Sequence, residues 1–97
     1  INSELRLDFS VRRLEVRGQI IDLTPKEFEL LACFFKNPGR FIPYDELLKA
    51  LWDEEKANRT ALKAYIWRLR QKIEKDPRNP QYILTRRGVG YILKSPS

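Results

Sequence analysis

The sequence predicts an α+β fold in which an N-terminal antiparallel β-meander precedes three helices and a C-terminal β-hairpin. Apolar and polar residues alternate over residues 5–9, 13–17 and 82–93, which is the period of half-buried strands. Between these runs, apolar residues recur at helical spacing in three segments. A length of 97 residues suffices for one small hydrophobic core. We therefore expect residues 1–97 to form a single domain.

The meander is predicted to contain three strands, at Leu5–Phe9, Arg13–Arg17 and Ile21–Leu23. Breaks are expected over residues 8–11 and at Arg17-Gly18-Gln19, where glycine favours a turn. A further short strand that begins at Phe9 is an alternative. The alternation predicts one buried and one solvent-exposed face for this sheet.

The first helix is predicted to begin at Thr24, because three signals of a helix start coincide there. Thr24 can cap the helix, Pro25 suits its first position, and Glu27 completes a capping box with Thr24. The sequence Asn37-Pro38-Gly39 predicts its end. Burial on more than one side, and so a central place in the core, is implied by its apolar positions: Phe28, Leu30, Leu31, Ala32, Phe34 and Phe35.

A second, shorter helix is predicted from Tyr44 to Trp52, after a short extended piece at Phe41-Ile42. Its inward side chains are expected to be Leu47, Leu48 and Leu51. The acidic segment Asp53–Ala57 then separates this helix from the third one. The spacing is compatible with a helix-turn-helix whose turn has been lengthened.

The third helix, Asn58–Ile73, is predicted to have one apolar and one cationic face. Four branched apolar side chains share a narrow stripe that requires a core: Leu62, Ile66, Leu69 and Ile73. The opposite face has no carboxylate and consists of Thr60, Ala64, Trp67, Arg68 and Gln71. A solvated surface helix is the alternative interpretation, and it is the commoner one for basic amphipathic helices.

Three details of this helix favour an anionic partner over plain solvation. Glu74 is the only acid between Arg59 and Lys75, whereas a solvated helix normally interleaves both signs. An exposed Trp67 is typical of a contact surface. The small side chain of Ala64 in the middle of the polar face permits close approach to a partner.

The C-terminal hairpin is predicted to consist of two strands around a Gly-Val-Gly turn. Tyr82 and Leu84, then Tyr91 and Leu93, are expected to alternate along it. Arg86 and Arg87 lie near its tip. They serve either solubility alone or contacts to phosphates and a minor groove.

Basic charge is concentrated in the second half of the chain. Residues 1–58 contain nine Lys and Arg against eleven Asp and Glu, whereas residues 59–97 contain ten against two. Such polarity is typical of a nucleic-acid surface. An anionic membrane is the weaker candidate, because the basic segment lacks a wide apolar face for lipid.

Composition disfavours several other classes of protein. The absence of His from the sequence excludes His-based catalysis and metal sites of the His/Cys type. The single Cys33 is predicted to be a small buried apolar residue in a reducing compartment. No apolar run approaches the ~20 residues of a membrane span, and the start of the sequence shows no secretory signal pattern, so we expect a soluble, cytoplasmic protein. Asp45-Glu46 and 53–55 lie where acids are ordinary, and we expect no enzyme, cofactor or metal.

The order of elements and several strings together resemble the OmpR/PhoB-type winged-helix domain, the DNA-binding output part of bacterial two-component response regulators. The strings are L-T-P-K-E-F-E-L-L, R-L-R-Q-K-I-E and T-R-R-G-V-G-Y, and the resemblance extends from Leu5 to Leu93. It implies a winged helix-turn-helix that regulates transcription. The third helix would be the recognition helix in the major groove, and the hairpin would be the wing.

The resemblance also implies roles for individual residues. Base-facing positions correspond to Ala64 and Arg68, and neighbouring backbone-contacting positions to Tyr65, Trp67 and Arg70. Thr85 corresponds to a wing position that touches phosphate, and Arg87 would reach the minor groove. The full set of candidate DNA-binding residues is Thr60, Ala61, Lys63, Ala64, Tyr65, Trp67, Arg68, Arg70, Thr85, Arg86 and Arg87.

Further expectations from the resemblance concern partners and the longer protein. Members bind direct repeats as tandem homodimers, and the segment Asp53–Ala57 matches one that contacts RNA polymerase in some of them. The chain would be the C-terminal part of a longer regulator. A winged-helix module that binds RNA or another protein is the alternative function.

This chain departs from the family pattern in three places. The stretch before R-L-R is one residue longer than usual, which leaves open which of Arg59, Thr60 and Ala61 contacts DNA. Trp67 replaces a usual basic residue, and Pro43 replaces the Ser that commonly caps the second helix.

Overall fold

A computed structural model describes residues 5–52 and 58–94, and the predicted α+β order is confirmed there. This part of the chain forms six strands and three helices. In chain order they are β1 Leu5–Asp8, β2 Arg13–Val16, β3 Gln19–Ile21, α1 Pro25–Lys36, β4 Ile42–Pro43, α2 Tyr44–Leu51, α3 Arg59–Ile73, β5 Ile83–Arg86 and β6 Gly90–Leu93.

The N-terminal strands form an antiparallel sheet in the order β1-β2-β3, but its third strand begins two residues earlier than predicted. Arg17 and Gly18 both have positive φ, at 47° and 83°, so they form a tight turn that pairs Val16 directly with Gln19. The predicted bounds of this strand, Ile21–Leu23, were therefore wrong, because the strand covers Gln19–Ile21.

The alternative of a strand starting at Phe9 is also wrong, since residues 9–12 form a turn. The Asp8 carboxylate holds this turn by accepting hydrogen bonds from the N–H groups of Ser10 and Val11, at 2.9 and 3.3 Å. A carboxylate that binds its own backbone in this way competes with strand pairing.

Helix α1 begins with the predicted capping box. The Thr24 hydroxyl accepts from the Glu27 N–H at 3.3 Å, and the Glu27 carboxylate accepts from the Thr24 N–H at 2.9 Å. The predicted central position is confirmed, because α1 buries side chains around most of its circumference: Glu27, Phe28, Leu30, Leu31, Ala32 and Phe34. Phe35 is only half-buried.

Strands β4, β6 and β5 form the second sheet, in that order. Gly90 of β6 lies against β4 so closely that an added Cβ would overlap the carbonyl oxygen of Ile42 and lie 2.9 Å from Pro43 Cα. Helix α2 follows Pro43 directly and has no side-chain cap at its start. Its end is marked by Trp52, whose N–H donates to Leu48 O at 2.9 Å.

The predicted alternation of the hairpin needs one correction. Ile83 pairs with Leu93 and Thr85 with Tyr91, so these residues share one face and Leu84 lies on the other. Ile83 is fully buried instead of Leu84. The reason lies before the strand, where the buried Glu74 carboxylate accepts three successive N–H groups, those of Gln81, Tyr82 and Ile83, at 2.7–3.2 Å. Tyr82 is thus fixed in the segment before β5 and does not alternate in face with Leu84.

Helix α3 lies on the core through the predicted stripe, and all four of its apolar side chains are buried: Leu62, Ile66, Leu69 and Ile73. Its C-terminal end is tied to the rest of the domain by two cations. Lys72 Nζ lies 2.5 Å from the Glu27 carboxylate and 2.8 Å from Asp22 O, and Arg17 donates to Ile73 O at 2.9 Å. In residues 5–52 and 58–94, no helix is long and apolar enough to cross a membrane.

Candidate nucleic-acid interface

The predicted cationic face of α3 is exposed along its whole length. Thr60, Ala64, Trp67, Arg68 and Gln71 are all exposed, and Trp67 retains 43% of its accessible surface. An aromatic side chain left this open, on a helix whose Leu and Ile side chains are all buried, is available for contact with a partner. Lys63 is exposed on the same helix.

The first turn of α3 distinguishes the three residues whose roles the sequence leaves open. Asn58 caps the helix, and its side-chain oxygen accepts from the Ala61 N–H at 2.8 Å. Ala61 is half-buried, whereas Arg59 and Thr60 are exposed. The Arg59 guanidinium lies 4.7 Å from the centre of the Tyr44 ring. Arg59 and Thr60 are thus the residues of this turn that face solvent.

The tip of the hairpin carries two arginines, Arg86 and Arg87, whose side chains have different neighbours. Arg86 pairs with Gly90 across the strands, and Gly88 takes a positive φ of 80° in the three-residue loop between them. Arg86 and Arg87 are both exposed. The Arg86 guanidinium lies 5.9 Å from the centre of the Phe41 ring, whereas Arg87 lines a groove next to α3.

This groove, with a volume of about 250 Å³, separates the first turns of α3 from the hairpin tip. Its lining contains three cations, no carboxylate and a floor of aromatic and apolar side chains. The lining residues are Tyr44, Arg59, Thr60, Leu62, Lys63, Arg87, Gly88 and Tyr91. Three cations, a helix N-terminus and an exposed glycine backbone form a surface that favours an anion.

Two candidate residues, Arg70 and Thr85, bind each other. The Arg70 guanidinium donates to Ile83 O at 3.0 and 3.1 Å and to Thr85 Oγ1 at 2.7 Å. Arg70 is half-buried, and this burial lowers its pKa below the ordinary value, although an arginine remains charged at neutral pH. Arg70 therefore links α3 to β5 in the described structure.

Tyr65 lies between two other side chains. Its ring centre is 5.7 Å from that of Trp52, at an interplanar angle of 54°, and the Arg68 guanidinium lies 4.8 Å from the centre of the Tyr65 ring. Tyr65 is half-buried, while Arg68 stays exposed. Because the Arg68 residue is exposed, its guanidinium is accessible to a hydrogen-bonding partner.

In residues 5–52 and 58–94, no group of three or more His, Cys, Asp or Glu side chains could hold a metal ion. Cys33 is half-buried against the core, and burial raises the pKa of its thiol, which disfavours the reactive thiolate.

Sequence comparison places the chain among bacterial regulators. The family described as "Transcriptional regulatory protein, C terminal" matches residues 18–93. The DNA-binding response regulator MtrA of Mycolicibacterium smegmatis is 38% identical over 94 residues, which cover 96% of this chain and 41% of MtrA. The sensory transduction protein RegX3 of Mycobacterium leprae is 39% identical over 92 residues, with 94% and 46% covered. The chain belongs to the OmpR/PhoB-type family of DNA-binding domains.

Solved structures agree with this family assignment. The response regulator DrrB of Thermotoga maritima, an OmpR/PhoB homologue, superposes with a TM-score of 0.88 at 33% identity, over 96% of this chain and 42% of DrrB. The RstA DNA-binding domain of Klebsiella pneumoniae, solved in complex with the RstA box, gives a TM-score of 0.84 at 26% identity, over 97% and 94% of the two chains. This OmpR/PhoB-type domain spans about two fifths of the length of MtrA.

Two half-buried residues beside this interface, Tyr44 and Trp52, were not among the candidates from the sequence, and the role of Arg59 was left open there. Arg59 carried a usable signal, because a cation in the first turn opposes the helix dipole and indicates a nearby anion, and in the structure its guanidinium lies 4.0 Å from the Asp45 carboxylate. Tyr44 and Trp52 mark the two ends of α2, and nothing in their local sequence distinguishes them from core aromatics. The segment Asp53–Ala57 lies outside the described residues.

Proposed function

We propose that this domain binds double-stranded DNA in a sequence-dependent manner and regulates transcription as the output domain of a response regulator. The observation that carries the proposal is the cationic groove between α3 and the hairpin, since it joins Arg59, Lys63 and Arg87 at one surface. That surface continues into the exposed face of α3. The DNA-binding names of MtrA and of the RstA domain support the same proposal.

In this proposal α3 occupies the major groove, which has the width to admit one helix. Ala64 allows the helix axis to approach the base edges, and Arg68 donates two hydrogen bonds to O6 and N7 of a guanine. The exposed ring of Trp67 offers apolar contact to a thymine methyl group, at a position where the resemblance implies a cation.

The hairpin acts as the wing beside α3. One sugar-phosphate strand would lie along the groove, between Arg59, Thr60 and Lys63 on one side and Arg87 on the other. Arg87 would then extend into the adjacent minor groove, with Arg86 near the backbone. Each neutralised phosphate releases counterions, so affinity should fall with rising salt.

Arg70 acts indirectly in this proposal, whereas Thr85 both holds Arg70 and contacts DNA. Arg70 positions the wing, because its Nε and Nη2 donors are bonded to Ile83 O and Thr85 Oγ1. A hydroxyl group that accepts one hydrogen bond can still donate its own proton, so the exposed Thr85 can bind a phosphate while it holds Arg70. Ala61 contributes to the cap of α3 and not to the contact surface.

Several features of the whole protein are part of the same proposal. MtrA is more than twice as long as the matched region, and the matching family is described as C-terminal, which supports a role for this chain as the C-terminal part of a longer regulator. In this proposal the regulator is cytoplasmic and controlled by phosphorylation. The proposed regulator binds direct repeats as a tandem homodimer. It contacts RNA polymerase through the segment Asp53–Ala57.

The proposal is tested by selection of duplexes from a random DNA library with the 97-residue domain, followed by fluorescence anisotropy. The selected duplex should bind at least about tenfold more tightly than a scrambled duplex of the same composition, and both affinities should fall with salt. Equal affinity for the selected duplex, its scrambled version and duplex RNA would contradict it and favour an RNA-binding or protein-binding module.

A further inference from the structure

Three helices contribute to a continuous row of aromatic and cationic groups beside the exposed face of α3. Arg68 and Tyr65 are one turn apart on α3, with the guanidinium 4.8 Å from the ring centre. The Tyr65 ring contacts Trp52 at the end of α2, at 5.7 Å between ring centres. The ammonium group of Lys26, from α1, lies 5.5 Å from the Trp52 ring centre and donates to Leu51 O.

From this row we infer that Tyr65, supported by Trp52, is a positioning residue that orients Arg68 before DNA binds. The inference rests on the proposed function, in which Arg68 contacts a base. It assigns Tyr65 a role through its ring face, whereas the family resemblance implies a contact of this position with the DNA backbone.

The geometry explains why orientation matters for Arg68. An arginine on an exposed helix face samples many rotamers, and binding a base restricts it to one of them at an entropic cost. A guanidinium held over an aromatic ring, as Arg68 is at 4.8 Å from the centre of the Tyr65 ring, has already lost part of that freedom. Its edge remains exposed, so all of its outward donors stay available to a base.

The surroundings of Tyr65 favour this role over that of a phosphate ligand. The side chain is half-buried, and its ring is in contact with Trp52 and Arg68 at once. Trp52 is itself half-buried and its backbone N–H is bonded to Leu48 O, so the support for Tyr65 is fixed to α2. The phenol hydroxyl plays no part in these contacts.

Two substitutions at Tyr65 separate the ring from the hydroxyl. Tyr65→Phe keeps the ring, and it should leave both the affinity and the specificity of binding unchanged. Tyr65→Leu removes the ring, and it should reduce the preference for the selected duplex over the scrambled one by about fivefold. Its salt dependence should match that of the wild type, since no phosphate contact is lost.

Nuclear magnetic resonance of the free domain gives a readout that needs no DNA. The Arg68 side-chain resonances should be shifted upfield by the Tyr65 ring current in the wild type and in Tyr65→Phe, and return towards random-coil values in Tyr65→Leu. Trp52→Leu should reduce the shift by loosening the Tyr65 ring. Arg70 in the same spectra is the internal control, because its bonds to β5 are independent of Tyr65.

The outcomes distinguish the inference from the proposed function. Unshifted Arg68 resonances in the wild type, or a Tyr65→Phe variant as impaired as Tyr65→Leu, would overturn the positioning role. A salt slope that falls in Tyr65→Phe would instead identify the hydroxyl as a phosphate ligand. A wild type that shows the ring-current shift but prefers no duplex would retain the Tyr65–Arg68 arrangement and overturn the DNA-binding proposal.

Discussion

The Arg70 guanidinium donates a 2.7 Å hydrogen bond to the Thr85 hydroxyl, which joins α3 to the first strand of the wing. Two further donors of Arg70 reach Ile83 O in the same strand. The wing is also attached to the domain through the pairing of β6 with β4 and through Tyr44, whose N–H donates to Val89 O and whose hydroxyl donates to Arg86 O. Arg70 adds the link between α3 and β5 on the other side of the cationic groove.

Thr85→Val should loosen the wing without a change in its charge or shape. It removes the acceptor of the Arg70 bond, and the loss of one such bond costs about 1 kcal/mol of unfolding free energy. Amide hydrogen exchange in residues 83–93 should become faster, and Thr85→Ser should restore the wild-type rate because it keeps the hydroxyl. Unchanged exchange in Thr85→Val would mean that Ile83 O alone holds Arg70.

Arg68→Ala should reduce sequence preference more than general affinity. A bidentate contact to guanine contributes about 1–3 kcal/mol of discrimination, so the ratio of selected to scrambled affinity should fall by about tenfold. The matched control is Lys75→Ala, which removes the same charge from an exposed position beyond the end of α3. An unchanged ratio in anisotropy titrations of Arg68→Ala would exclude its role in base recognition.

Arg87→Ala should weaken binding to every duplex by a similar factor. The proposed role is contact with the DNA backbone and minor groove, so the slope of log K against log salt should become shallower by about 0.9 for one lost phosphate contact. Lys49→Ala, on the exposed side of α2, is the control for loss of one charge. If both variants change the slope equally, the wing tip does not contact the backbone.

Features that depend on nearby residues were predictable from the sequence, and those that depend on tertiary pairing were not. The capping box at Thr24 and the buried stripe of α3 each follow from spacing within one element. The Arg70–Thr85 bond joins residues that are 15 positions apart in the chain. From the sequence alone, the same two polar side chains are equally consistent with exposure to solvent and contact with DNA. The early start of β3 depends on a turn in which Arg17, and not only Gly18, takes a positive φ.

The ion pair between Lys72 and Glu27 should make stability depend on pH below neutrality. Burial alone raises the pKa of Glu27, but the hydrogen bond and charge of Lys72 and the Thr24 N–H outweigh it, so the pKa lies below its ordinary value of 4.5. A carboxyl group with a lowered folded pKa contributes stability above its unfolded pKa, and loses it as pH falls through the folded one.

Lys72→Met should therefore be most destabilising at neutral pH. It leaves the buried Glu27 carboxylate without its ammonium partner, at a cost of about 3 kcal/mol near pH 7. Below pH 4.5 the difference from the wild type in urea unfolding should shrink as Glu27 becomes protonated. Lys75→Ala serves as the control here also, and a pH-independent difference would argue against the ion pair.

Gly90→Ala should disrupt the pairing of β6 with β4, which attaches the wing to the rest of the domain. The added Cβ would overlap Ile42 O and lie 2.7 Å from Ile42 C, both backbone atoms of β4 that cannot move without breaking the pairing with β6. Overpacking of this kind costs about 1–3 kcal/mol, which should be visible as a lower melting temperature.

Gly88→Ala is the matched comparison at the tip of the same hairpin. No atom lies within 4 Å of the position of its added Cβ, so only the strain of a positive φ of 80° remains, at about 1 kcal/mol. We expect Gly90→Ala to lower both stability and DNA affinity, because the wing loses its attachment to β4. Equal losses of stability in the two variants would show that backbone strain, and not contact between β4 and β6, requires glycine in this hairpin.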